Sequence, residues 1–227
     1  MFIFYIGCCF ASFLMVIAQR VPAGEDFLYS RSRCHHCQQK LAFYELLPLI
    51  SAVLLRFRCR TCRQKIPLIY FGAEFIYGCL FFLITTQQVG PTKIAYLIWL
   101  TMAFLLSLTD LFYWTVEPKI LYPFGFLLWM ILFLCAWQLY FSTLIFLLLI
   151  NLIVYFFLQD YFGFGDVLLL LFWGPWFSLH QLFILLFVAS LSGLILSALL
   201  TLIRKKTIRH LPFVPFLSLG LFYLLFF

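Results

Sequence analysis

Residues 147–177 read LLLINLIVYFFLQDYFGFGDVLLLLFWGPWF. Two apolar runs are broken once, by a short polar segment and an aspartate behind two glycines. Twelve residues, 147–158, of Leu, Ile, Phe, Val and Tyr with one asparagine are too apolar for the surface of a soluble helix, which needs a polar face. An acid at the edge of such a run is costly in a bilayer and tends to be kept for a function. This stretch therefore predicts two membrane helices with Asp166 at the boundary between them, and it sets the reading of the whole chain.

The rest of the sequence agrees. Of 227 residues, 66% are hydrophobic, 22% aromatic and only 10% charged, with mean hydropathy +1.09. A soluble domain is nearer half apolar and about a quarter charged. Apolar runs separated by polar or Pro/Gly breaks predict eight spans, near 2–19, 67–85, 94–109, 120–137, 143–158, 166–177, 180–202 and 211–227. The first run reads as an uncleaved span, and the sixth is short for a full crossing. The fold class expected is an all-α polytopic membrane protein. It has about eight transmembrane helices and a cytoplasmic four-cysteine loop after the first.

Charge gives the orientation. The net charge is +7, and nine of fifteen Lys and Arg lie in the loop 20–66. Basic residues collect on cytoplasmic loops, so this balance does not require a nucleic acid partner. With that loop inside, alternation places Lys119, Arg204, Lys205, Lys206 and Arg209 on the same side and leaves only Lys93 outside. Asp110, at the end of the third span, and Asp166, at the start of the sixth, then share the cytoplasmic boundary.

The same loop holds CHHC at 34–37 and CRTC at 59–62, two CxxC pairs. Cys34, Cys37, Cys59 and Cys62 suit a tetrahedral zinc site, because each pair offers two thiolates from one turn. Cytoplasmic thiols stay reduced, which favours metal over disulfide. Four reduced thiols without a metal are the alternative. Gln38 and Arg63 stand where zinc turns often carry glycine. Cys8, Cys9, Cys79 and Cys135 fall in spans and read as small packing residues. LLPLISAVLL, between the pairs, is too short to cross with ease. It reads as a helix on the membrane surface or packed on the bundle. Glu74, inside the second span, is expected to face the interior and make a hydrogen bond or an ion pair.

Two carboxylates at one depth can divide acid and base roles and activate water against a peptide carbonyl. Gly163 and Gly165 allow a close backbone approach and positive φ beside Asp166. The alternative is that Asp110 and Asp166 merely end helices at the water line. No Ser/His/Asp grouping, HExxH or phosphate-binding loop is present.

The order of these features resembles the type IV prepilin peptidase family, in the short form found with Gram-positive competence pili. SFLMVIAQRVP (12–22), RSRCHHC (31–37), PLIS (48–51), LLRFRCRTC (54–62), YFGAE (70–74), Thr109-Asp110 and GFGD (163–166) carry the resemblance, over residues 7–175. It implies a membrane aspartyl protease of the bacterial cell membrane, with Asp110 and Asp166 as the catalytic pair. It implies prepilin or pseudopilin substrates, cut at the cytoplasmic face after a glycine. Many members also methylate the new N-terminus with S-adenosylmethionine. It further implies an N-terminal region, 1–90, carrying the cysteine loop, and a peptidase bundle, 91–227. Three positions depart from the family's usual pattern: Met15 for an asparagine, Val116-Glu117-Pro118 for an Ile-Pro, and Leu168 for a lysine. A presenilin-like intramembrane protease shares GxGD but not the cysteine loop. A zinc-stapled scaffold or transporter without catalysis is the reading from outside the enzymes.

Overall fold

The computed structural model describes residues 1–29, 31–34, 36–157, 163–204 and 211–226. His35, Asp160, Lys205, Lys206, Arg209 and His210 lie outside the described residues. The chain forms two compact units, Met1–Lys93 and Ile94–Phe227. The described elements are helical, with two isolated bridges in the cysteine loop.

The first unit is a helical pair with a loop between. Helix α1 spans Phe2–Ala23 and α3 spans Leu68–Gln87, with the short α2, Ile50–Leu54, in the connection. α1 and α3 pack closely because the seam is lined by small residues. A Cβ on Gly7 would stand 2.9 Å from Phe81 Cβ, and one on Gly78 would stand 2.5 Å from Cys8 Sγ. Small residues are how membrane helices without a hydrophobic drive between them gain contact. Cys8 is buried in this seam as expected, whereas Cys9 is exposed. α1 runs past the expected end at residue 19. Its stop is Gly24, at φ 70°, whose N–H bonds the last turn; glycine takes that left-handed cap without a Cβ clash.

The second unit is built round α4, Thr92–Tyr113, which buries eleven of its residues. Around it are α5 (Pro118–Leu134), α6 (Phe141–Phe157), α7 (Phe164–Trp173), α8 (Leu179–Arg204) and α9 (Val214–Phe226). Trp99, Trp173, Trp176, Leu105 and Leu121 fill the core. Glycines again set the closest contacts: Gly125 accepts the Phe172 ring, and Gly220 lies against the Leu185 carbonyl.

The eight helices of ten residues or more fall on the eight predicted spans, among the described residues. Four of them, α1, α3, α4 and α8, are both long and apolar enough to cross a bilayer, and the other four are shorter apolar helices. α7 has only ten residues before a 3-10 turn at Gly174–Trp176. At about 1.5 Å per residue its helix rises roughly 15 Å, half of a ~30 Å hydrocarbon layer. The short sixth element expected from the sequence is thus seen as a ten-residue helix with a tight continuation.

Candidate active site

Asp110 lies in the last turn of α4 and is only 7% exposed. An acid so enclosed must find donors, since an unpaired buried charge is strongly unfavourable. Its Oδ2 accepts the Val214 N–H at 2.9 Å, and the Phe213 N–H is directed at the same carboxylate. Thr109 is fully buried and donates back to the Leu106 carbonyl at 3.0 Å. α4 stops just beyond, where Trp114 takes φ 59° and its N–H bonds the Asp110 carbonyl at 3.0 Å.

Asp166 lies in the first turn of α7, behind the N-cap Gly163. Its N–H bonds the Gly163 carbonyl at 3.0 Å, and a Cβ on Gly163 would stand 3.1 Å from Asp166 Oδ2. Gly165 faces the α4–α5 connection: a Cβ there would stand 2.7 Å from Val116 Cβ. Two expectations change here. Neither glycine uses positive φ. The close approach at Gly165 is taken by Val116 of the same chain. The first turn of α7 thereby locks onto the segment that follows Asp110, and Asp166 lies within electrostatic reach of the Asp110 carboxylate. The two aspartates, remote in sequence, thus lie in one unit within electrostatic reach of each other.

The four cysteines also meet, within the other unit. Their sulfurs lie within 4.8 Å of one another, with Cys34–Cys62 at 3.8 Å and Cys37–Cys59 at 4.0 Å. A disulfide needs about 2.05 Å. Zinc–sulfur bonds of about 2.3 Å in a tetrahedron put sulfurs roughly 3.8 Å apart, so the cluster fits a tetrahedral metal. The Cys62 N–H, helped by that of Thr61, brings the Cys59 thiol down to about 7 against desolvation. Cys62 receives the Gln64 N–H, yet desolvation and the three facing sulfurs push it up to about 11. Four sulfurs this close resist full ionisation by themselves, and a bound cation reverses that by supplying the missing charge.

The two turns are copies. Cys34 N–H bonds the Gln39 carbonyl and Gln38 N–H bonds the Cys34 carbonyl; Cys59, Gln64 and Arg63 repeat the pattern. Arg33 bridges to Lys40, and Arg58 to Lys65. The sequence carries the same repeat, RCHHCQQK at 33–40 and RCRTCRQK at 58–65, a signal that the spacing of cysteines alone does not reveal. Gln38 and Arg63 adopt φ 57° and 55°, so the turns do demand the left-handed conformation that glycine commonly supplies. Between them Pro48 is buried and Leu49, at φ 59°, gives its N–H to Glu74 Oε2 at 2.9 Å. Glu74 also meets the Ser12 side chain, and Gln19 donates to the Tyr70 hydroxyl at 2.7 Å. The apolar segment is therefore pinned to the helix pair at Leu49, while Ile50, Val53 and Leu54 stay exposed.

Comparison with known proteins decides the family. Residues 5–88 match the Bacterial Peptidase A24 N-terminal domain and residues 94–198 match the Type IV leader peptidase family. A Prepilin leader peptidase/N-methyltransferase of Pectobacterium carotovorum is 30% identical, over 95% of this chain and 88% of that protein. This chain belongs to the type IV leader peptidase family. Proteins of the same name from Myxococcus xanthus and Bacillus subtilis are 35% and 23% identical over 54% and 52% of this chain. Those matches span 37% and 48% of the two relatives' own lengths. No solved structure matches. Both aspartates fall in the second matched segment and all four cysteines in the first.

Proposed function

We propose that this protein is a membrane aspartyl endopeptidase that removes the leader from prepilins or pseudopilins, with Asp110 and Asp166 as its catalytic pair. What supports this reading is that Asp110 and Asp166 lie in one helical unit within electrostatic reach of each other, on motifs that the family match encloses. One carboxylate takes a proton from water as the oxygen attacks the peptide carbonyl. The other gives a proton to the departing amine. Water is consumed and no cofactor is needed for this step.

The cleavage face is inferred from charge. Nine Lys and Arg in the first loop, with alternation of spans, put that loop and both aspartates on the cytoplasmic side. A prepilin whose apolar helix lies in the bilayer presents its leader junction at that depth. Since leader and loop are both basic, recognition rests on the substrate helix and its junction rather than on attraction to the loop. The division of labour follows the chain: residues 1–90 carry the metal loop and residues 91–227 the peptidase. The metal at Cys34, Cys37, Cys59 and Cys62 is zinc in a structural role, since four thiolates fill a tetrahedron and leave no open position for chemistry. N-methylation of the new N-terminus by S-adenosylmethionine is proposed as a second activity, on the printed names of the relatives alone.

The test is cleavage of a prepilin with intact leader, in membranes, by wild type, Asp110→Asn and Asp166→Asn. Each substitution is expected to abolish cleavage while the protein stays at wild-type level in the membrane. Cleavage by either variant would overturn the catalytic assignment.

A further inference from the structure

α9 lies beyond both matched family segments, which end at residue 198. Its sequence, VPFLSLGLFYLLF, carries no acid, base or nucleophilic cysteine. Yet its first residue, Val214, and Phe213 just before it both direct backbone N–H groups at the Asp110 carboxylate. The first N–H groups of a helix have no partner inside it, and they carry the positive end of its dipole. At Val214 that free N–H points at Asp110 Oδ2, at 2.9 Å, and both residues are buried.

The contact is held from behind. One turn along α9, Ser218 is 5% exposed and shares a 2.9 Å hydrogen bond with Ser107, one turn before Asp110 on α4. Ser218 also lies 2.9 Å from the Val214 carbonyl and 3.4 Å from that of Ala103. Gly220 sits where any side chain would strike the Leu185 carbonyl of α8. α9 is thus fixed in axial position against α4 and cannot slide without breaking the Val214–Asp110 bond.

We propose that α9 is a positioning element for the reaction: the Val214 N–H fixes the rotation of the Asp110 carboxylate so that it faces its reacting partners. This rests on the reading of Asp110 as catalytic. Val214 is a positioning residue, acting through its backbone and not through its side chain. A plain packing role for α9 would make the Val214 side chain matter and its N–H dispensable.

The test uses the full chain in membranes with a prepilin substrate. Val214→Pro deletes the N–H at the first helical position, where proline is tolerated. Val214→Ala trims the side chain and keeps the N–H. The expected result is a fall in kcat of about 10- to 100-fold for Val214→Pro, the scale for loss of an orienting partner. KM should be unchanged, and Val214→Ala should keep wild-type kcat. If Val214→Pro does not accumulate, a backbone ester at position 214, introduced by nonsense suppression, removes the same N–H and decides the matter with the same expected fall. Wild-type kcat without the N–H, or an equal loss in Val214→Ala, overturns the proposal. Asp110→Asn in the same assay separates the two claims: if it still cleaves, the catalytic reading itself has failed.

Discussion

The cysteine loop and the aspartate pair are two sites built in opposite ways. The loop draws four sulfurs together from one stretch, 34–62, by repeating a single turn twice. Each turn closes by its own backbone bonds, and only the pairing of the two depends on longer contacts. The aspartate site takes one acid from the end of α4, another from the start of α7, a donor from the start of α9 and a wedge from the α4–α5 connection. Only Asp110 and Val116 are near each other in the chain; α7 and α9 come from far along it. A site of the first kind should fail alone when broken. A site of the second kind should feel changes made far away in the chain, so the contrast can be tested.

The largest effect is expected at the acids. Asp110→Asn and Asp166→Asn should each abolish detectable cleavage, a loss of about 10³-fold or more, and the double variant should lose no more than either, because groups that act as one unit are not additive. A rate that falls further in the double variant would show two independent contributions. Next is the metal loop. Cys59→Ser should remove zinc, read by metal analysis of the purified protein, and should open the loop to protease. Metal retained at wild-type stoichiometry would contradict the four-sulfur site.

Gly165 offers a middle-sized effect. Gly165→Ala places a Cβ against Val116 and should destabilise the protein by about 1–3 kcal/mol. Val116→Ala in the same chain removes the contacting Cγ2 and should restore part of the loss, read as thermal midpoints of the four proteins in a double-mutant cycle. Strict additivity would mean that the two aspartate segments are not locked through this contact. The smallest effect is expected at the turns. Gln38→Gly and Arg63→Gly relieve left-handed residues at about 1–2 kcal/mol each, less glycine's greater loss of freedom on folding. Each should leave zinc content unchanged and raise the loop's resistance to protease slightly; a loss of zinc would show that these side chains support the turn.

The comparison also shows where letters suffice. Apolar stretches mark the helices because the bilayer leaves the backbone few other choices. The first span overshoots residue 19 because Arg20 and Pro22 still fit the last turn and Gly24 is the true stop. Cysteine spacing locates the four-sulfur cluster, and the repeat of Arg, Cys, Gln and Lys around it is legible too. The left-handed turns at Gln38 and Arg63 were not, since neither residue advertises that conformation. Asp110 and Asp166 could be placed at one boundary by counting spans. Their surroundings could not. Val116 looks like an ordinary apolar residue until Gly165 makes room for it. Val214 contributes a backbone N–H, which every residue but proline possesses, so no side-chain pattern can report it.

The proposed division gives chemistry to the aspartates and structure to the cysteines. It is tested most directly by one set of purified full-length proteins in lipid nanodiscs: wild type, Asp110→Asn and Cys59→Ser, each measured for bound zinc and for single-turnover cleavage of a prepilin. Asp110→Asn is expected to hold full zinc and show no cleavage, and Cys59→Ser to lose zinc and keep cleaving. Cleavage by Asp110→Asn, or chemistry that vanishes with zinc while the fold is retained, would contradict it.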